Sequence, residues 1–129
     1  MYLPYIRGRQ YELLALRELV TNDLLGDYVI PIIEPVKLSP TLIKTIAEYI
    51  RVGHQLAVIR NPGVGSFKED IQEAKHDSKE GVYKSEFQKL YDDDIIIKSI
   101  MEKIKGQIIF FTIFDILTPK NSEVNNKQR

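Results

Sequence analysis

The stretch YVIPIIEPVKLSP, residues 28–40, decides the fold. Its β-branched run has the length of a buried strand, and Pro31 limits the paired part to residues 32–34 because proline has no N–H to donate to a neighbouring strand. Ser39 and Pro40 are typical of the N-cap and the first position of a helix. The stretch therefore predicts a short strand that ends in a carboxylate, followed by a loop that leads directly into a helix.

Strand and helix patterns alternate on both sides of this stretch. Upstream, a short apolar strand over residues 3–7 precedes a helix over residues 9–25, whose leucines recur at helical spacing. Downstream, the helix that begins at Pro40 stops at Gly53, and residues 56–59 form a continuous apolar run, as expected of a strand covered on both faces. The order β-α-β-α-β is typical of parallel strands joined by right-handed crossovers.

The chain changes in character after this third strand. Residues 63–94 are polar and mixed in charge, and they predict a long insertion with one or two short helices. Residues 92–106 predict a helix that aspartates open and that lysines and a glycine close, which explains the three aspartates better than a divalent-cation site does. Residues 107–115 predict a fourth strand that ends in Asp115, and residues 118–129 predict a disordered tail.

The predicted fold is therefore a single α/β domain over residues 1–117 with the order β-α-β-α-β-insertion-α-β. Two architectures fit this order. One is half of a TIM-barrel-like fold, and the other is a small, open, four-stranded parallel sheet.

Composition narrows the class of protein. The chain has 18 Lys+Arg and 18 Asp+Glu residues, so no overall field attracts nucleic acid or anionic lipid. The absence of cysteine excludes disulfides and thiolate sites and predicts a reducing, cytoplasmic environment. The N-terminus lacks a signal-peptide pattern, and the apolar run at 108–114 is too short to span a membrane as a helix.

Polar residues follow each predicted strand, where parallel α/β folds bind their ligands. Arginine and lysine there could hold a phosphate or carboxylate, with Glu34 orienting an arginine or acting as a base. The competing interpretation is that Glu34 only forms a structural ion pair with Arg7 or Arg60. The candidate ligand-binding residues are Arg7, Arg9, Glu34, Lys37, Arg60 and Asn61, with Asp115 after the fourth strand.

No metal site or cofactor is predicted. His54 and His76 have no second ligand at metal-binding spacing. Gly63 and Gly65 lack the third glycine of the dinucleotide fingerprint and the Gly-Lys-Ser/Thr of a P-loop, so a flexible turn is the better interpretation than an anion nest.

Four spaced motifs lie within about residues 1–67: Arg7-Gly8-Arg9-Gln10, Glu12, Glu34-Pro35 and Asn61-Pro62. In this order they resemble the N-terminal part of the phage "beta protein" family. Members occur in phages and bacterial mobile regions, run considerably longer than this chain, and have no assigned biochemical activity. The resemblance implies a barrel-like fold and a truncated or naturally minimal member, whose half barrel leaves strand edges open.

Two functional hypotheses follow, and the sequence leaves open whether the protein is an enzyme. The leading hypothesis is a phage or mobile-element protein that binds a host or defence protein, or itself, through an open sheet edge or an exposed apolar surface. The alternative is a domain that binds a small ligand or anion, or acts on one, at the carboxyl ends of the strands.

Overall fold

The computed structural model describes residues 2–104 and 107–112, with side chains described through residue 99. The first four strands are parallel and neighbour one another in sequence order, and the fifth pairs antiparallel with the fourth. The predicted α/β class with an open parallel sheet is confirmed. The elements in chain order are β1 (Tyr5–Gly8), α1 (Gln10–Thr21), β2 (Ile32–Pro35), α2 (Pro40–Val52), β3 (Leu56–Ile59), α3 (Phe67–Glu73), α4 (Lys79–Tyr91), β4 (Ile96–Ile104) and β5 (Gln107–Thr112).

The main core lies between one face of the sheet and the helices. Because the parallel strands join the sheet in sequence order, right-handed crossovers place their helices on the same face. Half of a (βα)8 barrel is wound in this way, whereas a doubly wound sheet reverses its strand order and has helices on both faces. The core joins Ile33, Leu56, Val58 and Ile96 of the sheet to Leu13, Leu16, Leu42, Ile46, Tyr49, Phe67 and Phe87 of the helices.

The other face of the sheet has a smaller apolar cluster of Ile32, Ala57 and Ile59. Successive side chains of a strand point to opposite faces, so Glu34, two residues beyond Ile32, points to this second face. Arg7 of β1 is its neighbour in the register of the parallel pair. The charged ends of β1 and β2 therefore lie on the face away from the helices.

Helix α2 has the two ends that the sequence predicts. Ser39 accepts a hydrogen bond at its Oγ from the N–H of Leu42 at 3.2 Å, and Pro40 is the first helical residue. Gly53 ends the helix with φ 82°, a left-handed conformation that glycine adopts without strain. The strand predicted at residues 56–59 is β3, with all four residues buried.

The prediction of a helix over residues 92–106 is wrong. Residues from Ile96 onward form β4, parallel to β3. Asp92 ends α4 instead of opening a new helix, and Asp93 accepts the N–H of Ile95 at its Oδ1 at 2.9 Å. The physical reason is that β-branched isoleucines pack well on both faces of a central strand, a preference that outweighed the favourable charges at the two ends of the predicted helix.

The crossover helix is instead α4, within the segment that the sequence predicts as a long insertion. Ser78 begins it by accepting the N–H of Gly81 at 3.1 Å. Phe87 is the only buried apolar residue of this helix, so its sequence lacks a strong apolar stripe. The fourth predicted strand is β5, which is antiparallel, while Asp115 and the predicted tail at 118–129 lie outside the described residues.

Within residues 2–104 and 107–112, no helix has the length and apolar character needed to cross a membrane.

Candidate functional site

Glu34 is a buried carboxylate at the end of β2, with only 1% of its surface exposed. Its Oε1 accepts a hydrogen bond from the hydroxyl of Tyr5, and its Oε2 accepts one from the N–H of Gly63 at 2.8 Å. Each oxygen therefore has a donor, which is the usual condition for burying such a group. Among the residues with described side chains, neither Arg7 nor Arg60 forms the predicted ion pair with Glu34.

The loop between β3 and α3, residues 60–66, folds over the end of β2. The N–H groups of Ser66 and Phe67 both donate to the carbonyl oxygen of Val36, at 2.7 and 3.0 Å. Gly65 has φ 70°, and a Cβ atom there would lie 2.2 Å from the same oxygen. This position therefore requires glycine, both for its backbone angle and for the close approach of the two chains.

Asp70 of α3 also joins these two loops. Its Oδ2 accepts the N–H of Leu38 at 2.9 Å and the hydroxyl of Ser66 at 3.1 Å. Together with Glu34, it holds the β3–α3 loop against the β2–α2 loop. The carboxyl edge of the sheet is thus built by two carboxylates that bind backbone N–H groups.

A cleft of about 380 Å³ opens at this edge between the first residues of α1 and α2. Arg9 and Lys37, two of the predicted ligand-binding residues, line it together, and both are exposed. Its volume falls within the range of small-molecule sites, roughly 300–1,000 Å³. The lining residues are Gly8, Arg9, Gln10, Val36, Lys37, Ser39, Pro40 and Thr41.

The cleft is electropositive for two independent reasons. Two cationic side chains line it, and helix α1 starts beside it without a side-chain cap on its first N–H groups. Arg9 also pairs with Glu12 at 2.6 Å, and this hydrogen-bonded guanidinium lowers the pKa of Glu12. Exposed pairs of this kind hold their partners weakly, so the guanidinium of Arg9 can exchange Glu12 for an anion.

The other predicted site residues do not line this cleft. Arg7 is exposed on the second face of the sheet, and Asn61 is exposed in the β3–α3 loop. Arg60 lies near Tyr91 of α4: burial raises the pKa of Tyr91 to about 12, and the Arg60 charge partly offsets that rise. Of the six residues, two therefore line the cleft, one is a buried carboxylate at the end of β2, and three are exposed elsewhere: Arg9 and Lys37, then Glu34, then Arg7, Arg60 and Asn61.

Sequence reasoning missed the residues that hold Glu34. Tyr5 lies two residues before Arg7 on the same face of β1, a spacing that could have signalled it. Gly63 carried no comparable signal, because its role depends on how the β3–α3 loop folds back. Its N–H is bound to a carboxylate and does not form part of an anion nest.

The two histidines have structural or solvent-exposed positions. The ring of His54 is buried, with Nδ1 2.8 Å from the carbonyl oxygen of Gln55 and Nε2 3.1 Å from that of Gly26. His76 is exposed. In the described part of the chain, no group of three histidine, aspartate or glutamate side chains is placed to hold a metal ion.

Comparison of the chain with family models, curated proteins and solved structures finds no match.

Proposed function

We propose that the protein binds a small ligand carrying a phosphate or carboxylate group in the cleft between the first turns of α1 and α2. The observation that supports this function is the meeting of Arg9, Lys37 and the uncapped start of α1 around one cleft. The position also supports it, because parallel α/β folds bind ligands at the carboxyl ends of their strands.

The cleft residues have complementary roles in this proposal. The planar guanidinium of Arg9 binds two oxygens of the anion at once, while Lys37 adds a mobile point charge. The backbone N–H groups at the start of α1 donate hydrogen bonds to the same anion. The hydroxyl of Thr41 is a further donor at the rim of the cleft.

Binding rather than base catalysis is the better supported form of this function. A general base needs a lone pair directed at its substrate. Both oxygens of Glu34 already accept hydrogen bonds from Tyr5 and Gly63, and the residue is buried outside the residues that line the cleft.

Calorimetric titration with inorganic phosphate, pyrophosphate and citrate tests the proposal. We expect binding that weakens with salt and that falls at least about tenfold in Arg9→Gln and in Lys37→Gln, since each removes a charge-assisted contact. Lys44→Gln is the matched control, because Lys44 is exposed on α2 but does not line the cleft. Equal affinity in all three variants would contradict the proposal.

A second function, the docking of a protein beside β1, which is an edge strand of the sheet among the described residues, is favoured by a separate observation. Large apolar and aromatic side chains are exposed around this edge, with Tyr11 85% and Tyr28 79% exposed. Tyrosines of this kind are enriched at the centres of protein interfaces. The resemblance of its motifs to those of the phage beta protein family makes a host or defence protein one candidate partner.

A further inference from the structure

The backbone of Lys37 is held on both sides, although its side chain is exposed. Before it, the carbonyl oxygen of Val36 accepts both N–H groups of residues 66–67, at 2.7 and 3.0 Å. After it, the N–H of Leu38 donates to Oδ2 of Asp70 at 2.9 Å. Both peptide groups that adjoin Lys37 are therefore bound to the segment that begins α3. Because peptide groups are planar, these bonds fix the point and direction from which the Lys37 side chain leaves the backbone.

Helix α3 is a firm support for this loop, because its first residue lies in the core. Phe67 is 3% exposed, and its ring packs edge-to-face on that of Phe87 of α4, with the ring centroids 5.0 Å apart. Leu38, whose N–H Asp70 accepts, is also buried in the main core. Asp70 thus joins two points that are themselves held by close apolar packing, and the β2–α2 loop is restrained at the residue that follows Lys37.

The side-chain hydrogen bonds of Asp70 meet at one of its two oxygens. Oδ2 accepts the hydroxyl of Ser66 at 3.1 Å as well as the N–H of Leu38. A hydrogen bond to a carboxylate is of the stronger, charge-assisted kind, and alanine at this position would leave the Leu38 N–H without its acceptor. Asparagine has one side-chain carbonyl oxygen, which can accept the same two hydrogen bonds without the charge.

We propose that Asp70 is the positioning residue for Lys37 and that α3 thereby sets the affinity of the cleft for an anion. Asp70 is not among the residues that line the cleft, so it acts through the backbone of the β2–α2 loop. A loop that is already ordered binds more tightly than one that must be ordered on binding. This inference rests on the anion binding proposed for the cleft and adds the element that controls it.

Calorimetric titration with inorganic phosphate, on variants shown to be folded by circular dichroism, tests the role of Asp70. In Asp70→Ala we expect the affinity to fall about fivefold, less than in Lys37→Gln, because the ammonium group is still present but less well placed. Asp70→Asn should keep the affinity within about twofold of the wild type, since its oxygen accepts the same hydrogen bonds. Glu73→Ala, which removes an exposed carboxylate from the same helix, is the control for charge and should not weaken binding.

Double variants show whether the effect passes through Lys37. In the Lys37→Gln background, Asp70→Ala should cause almost no further loss of affinity, because the ammonium group that it positions is gone. In the Arg9→Gln background, the loss of about fivefold should remain. A residue that only stabilises the fold would lower the free energy of unfolding without producing this difference between the two backgrounds.

The possible failures are distinguishable. If Asp70→Ala binds phosphate as tightly as the wild type, the positioning role is overturned and the cleft remains the binding site. An equal loss in Asp70→Asn, or a loss in Asp70→Ala that is undiminished in the Lys37→Gln background, overturns the positioning role as well. A wild-type protein that binds no phosphate contradicts the function proposed for the cleft, and this inference with it.

Discussion

Glu34 lies near the end of β2 and Lys37 lies three residues later in the loop that follows, yet their environments are opposite. Glu34 is buried and has a donor on each carboxylate oxygen, whereas Lys37 is exposed and lines a cleft. The first holds Tyr5 and the β3–α3 loop in place, whereas the side chain of the second makes no such contact in the cleft that it lines. At the end of one strand, a charged residue can therefore either stabilise the neighbouring loops through hydrogen bonds or be exposed on the surface.

The loop that Glu34 holds is the part of the edge most sensitive to substitution. Gly65→Ala puts a Cβ 2.2 Å from the carbonyl oxygen of Val36 at a left-handed backbone angle. We expect the free energy of unfolding to fall by about 3 kcal/mol or more, measured by urea denaturation. Gly26→Ala, with no atom within 4 Å of the added Cβ, should change it by no more than about 0.5 kcal/mol. Similar losses in both variants would contradict this account of the loop.

The contrast between the two charged residues predicts a difference in stability between their alanine variants. Glu34→Ala leaves the Tyr5 hydroxyl and the Gly63 N–H without their acceptor, and we expect a loss of about 2–3 kcal/mol. Lys37→Ala should stay within about 0.5 kcal/mol of the wild type, because its side chain is exposed. A tolerated Glu34→Ala would place this carboxylate among the groups that serve a ligand instead.

The hydrogen bond from Tyr5 to Glu34 can be measured by a double-mutant cycle. Tyr5→Phe removes only the hydroxyl, and we expect a loss of about 1 kcal/mol in the wild-type background. The same substitution should have almost no effect in the Glu34→Ala background, since the acceptor is already gone. Equal effects in both backgrounds would show that the hydroxyl stabilises the protein through another contact.

The sequence predicted the first three strands and two helices well because their signals are local. Ser39, Pro40 and Gly53 mark the ends of α2 by their own chemistry, and Pro31 limits β2. Residues around Ile96 were predicted as a helix because charges and isoleucines there also suit one. Only their pairing with β3 settles the choice, and pairing is a non-local property.

Only part of the candidate site could be predicted, because some of its features have local sequence signals and others depend on non-local contacts. Strand ends can be found from the sequence, so Arg9, Glu34 and Lys37 could be selected as polar residues at one edge. Which of them is buried depends on Gly63 and Gly65, whose loop returns over β2. The path of that loop cannot be found from local sequence patterns, so which charged residues are buried and which line the cleft could not be predicted.

A partly exposed carboxylate should behave differently from Glu34, and Glu48 provides the smallest of the expected effects. A hydrogen bond from Arg51, with a second from Thr21 of α1, lowers the pKa of Glu48 from 4.5 to about 2. Because the folded-state pKa is depressed, its contribution to stability is present above about pH 4.5 and is lost as the pH falls towards 2.

Glu48→Gln should therefore lower the free energy of unfolding slightly at pH 7, and its difference from the wild type should disappear near the pKa of about 2. Urea denaturation of both proteins across this pH range makes the measurement. A difference that is independent of pH would show that the charge of Glu48 has no part in it.

Phosphate titration of the ¹⁵N-labelled protein, followed by amide chemical shifts, tests the central claim most directly. The account predicts saturable shifts at Gly8, Gln10 and Thr41, which line the cleft, and a much smaller change at Gly63, whose N–H is bound to Glu34. The shifts should be lost in the Arg9→Gln, Lys37→Gln double variant. Shifts that persist in that variant, or that spread over exposed lysines without saturating, would contradict it.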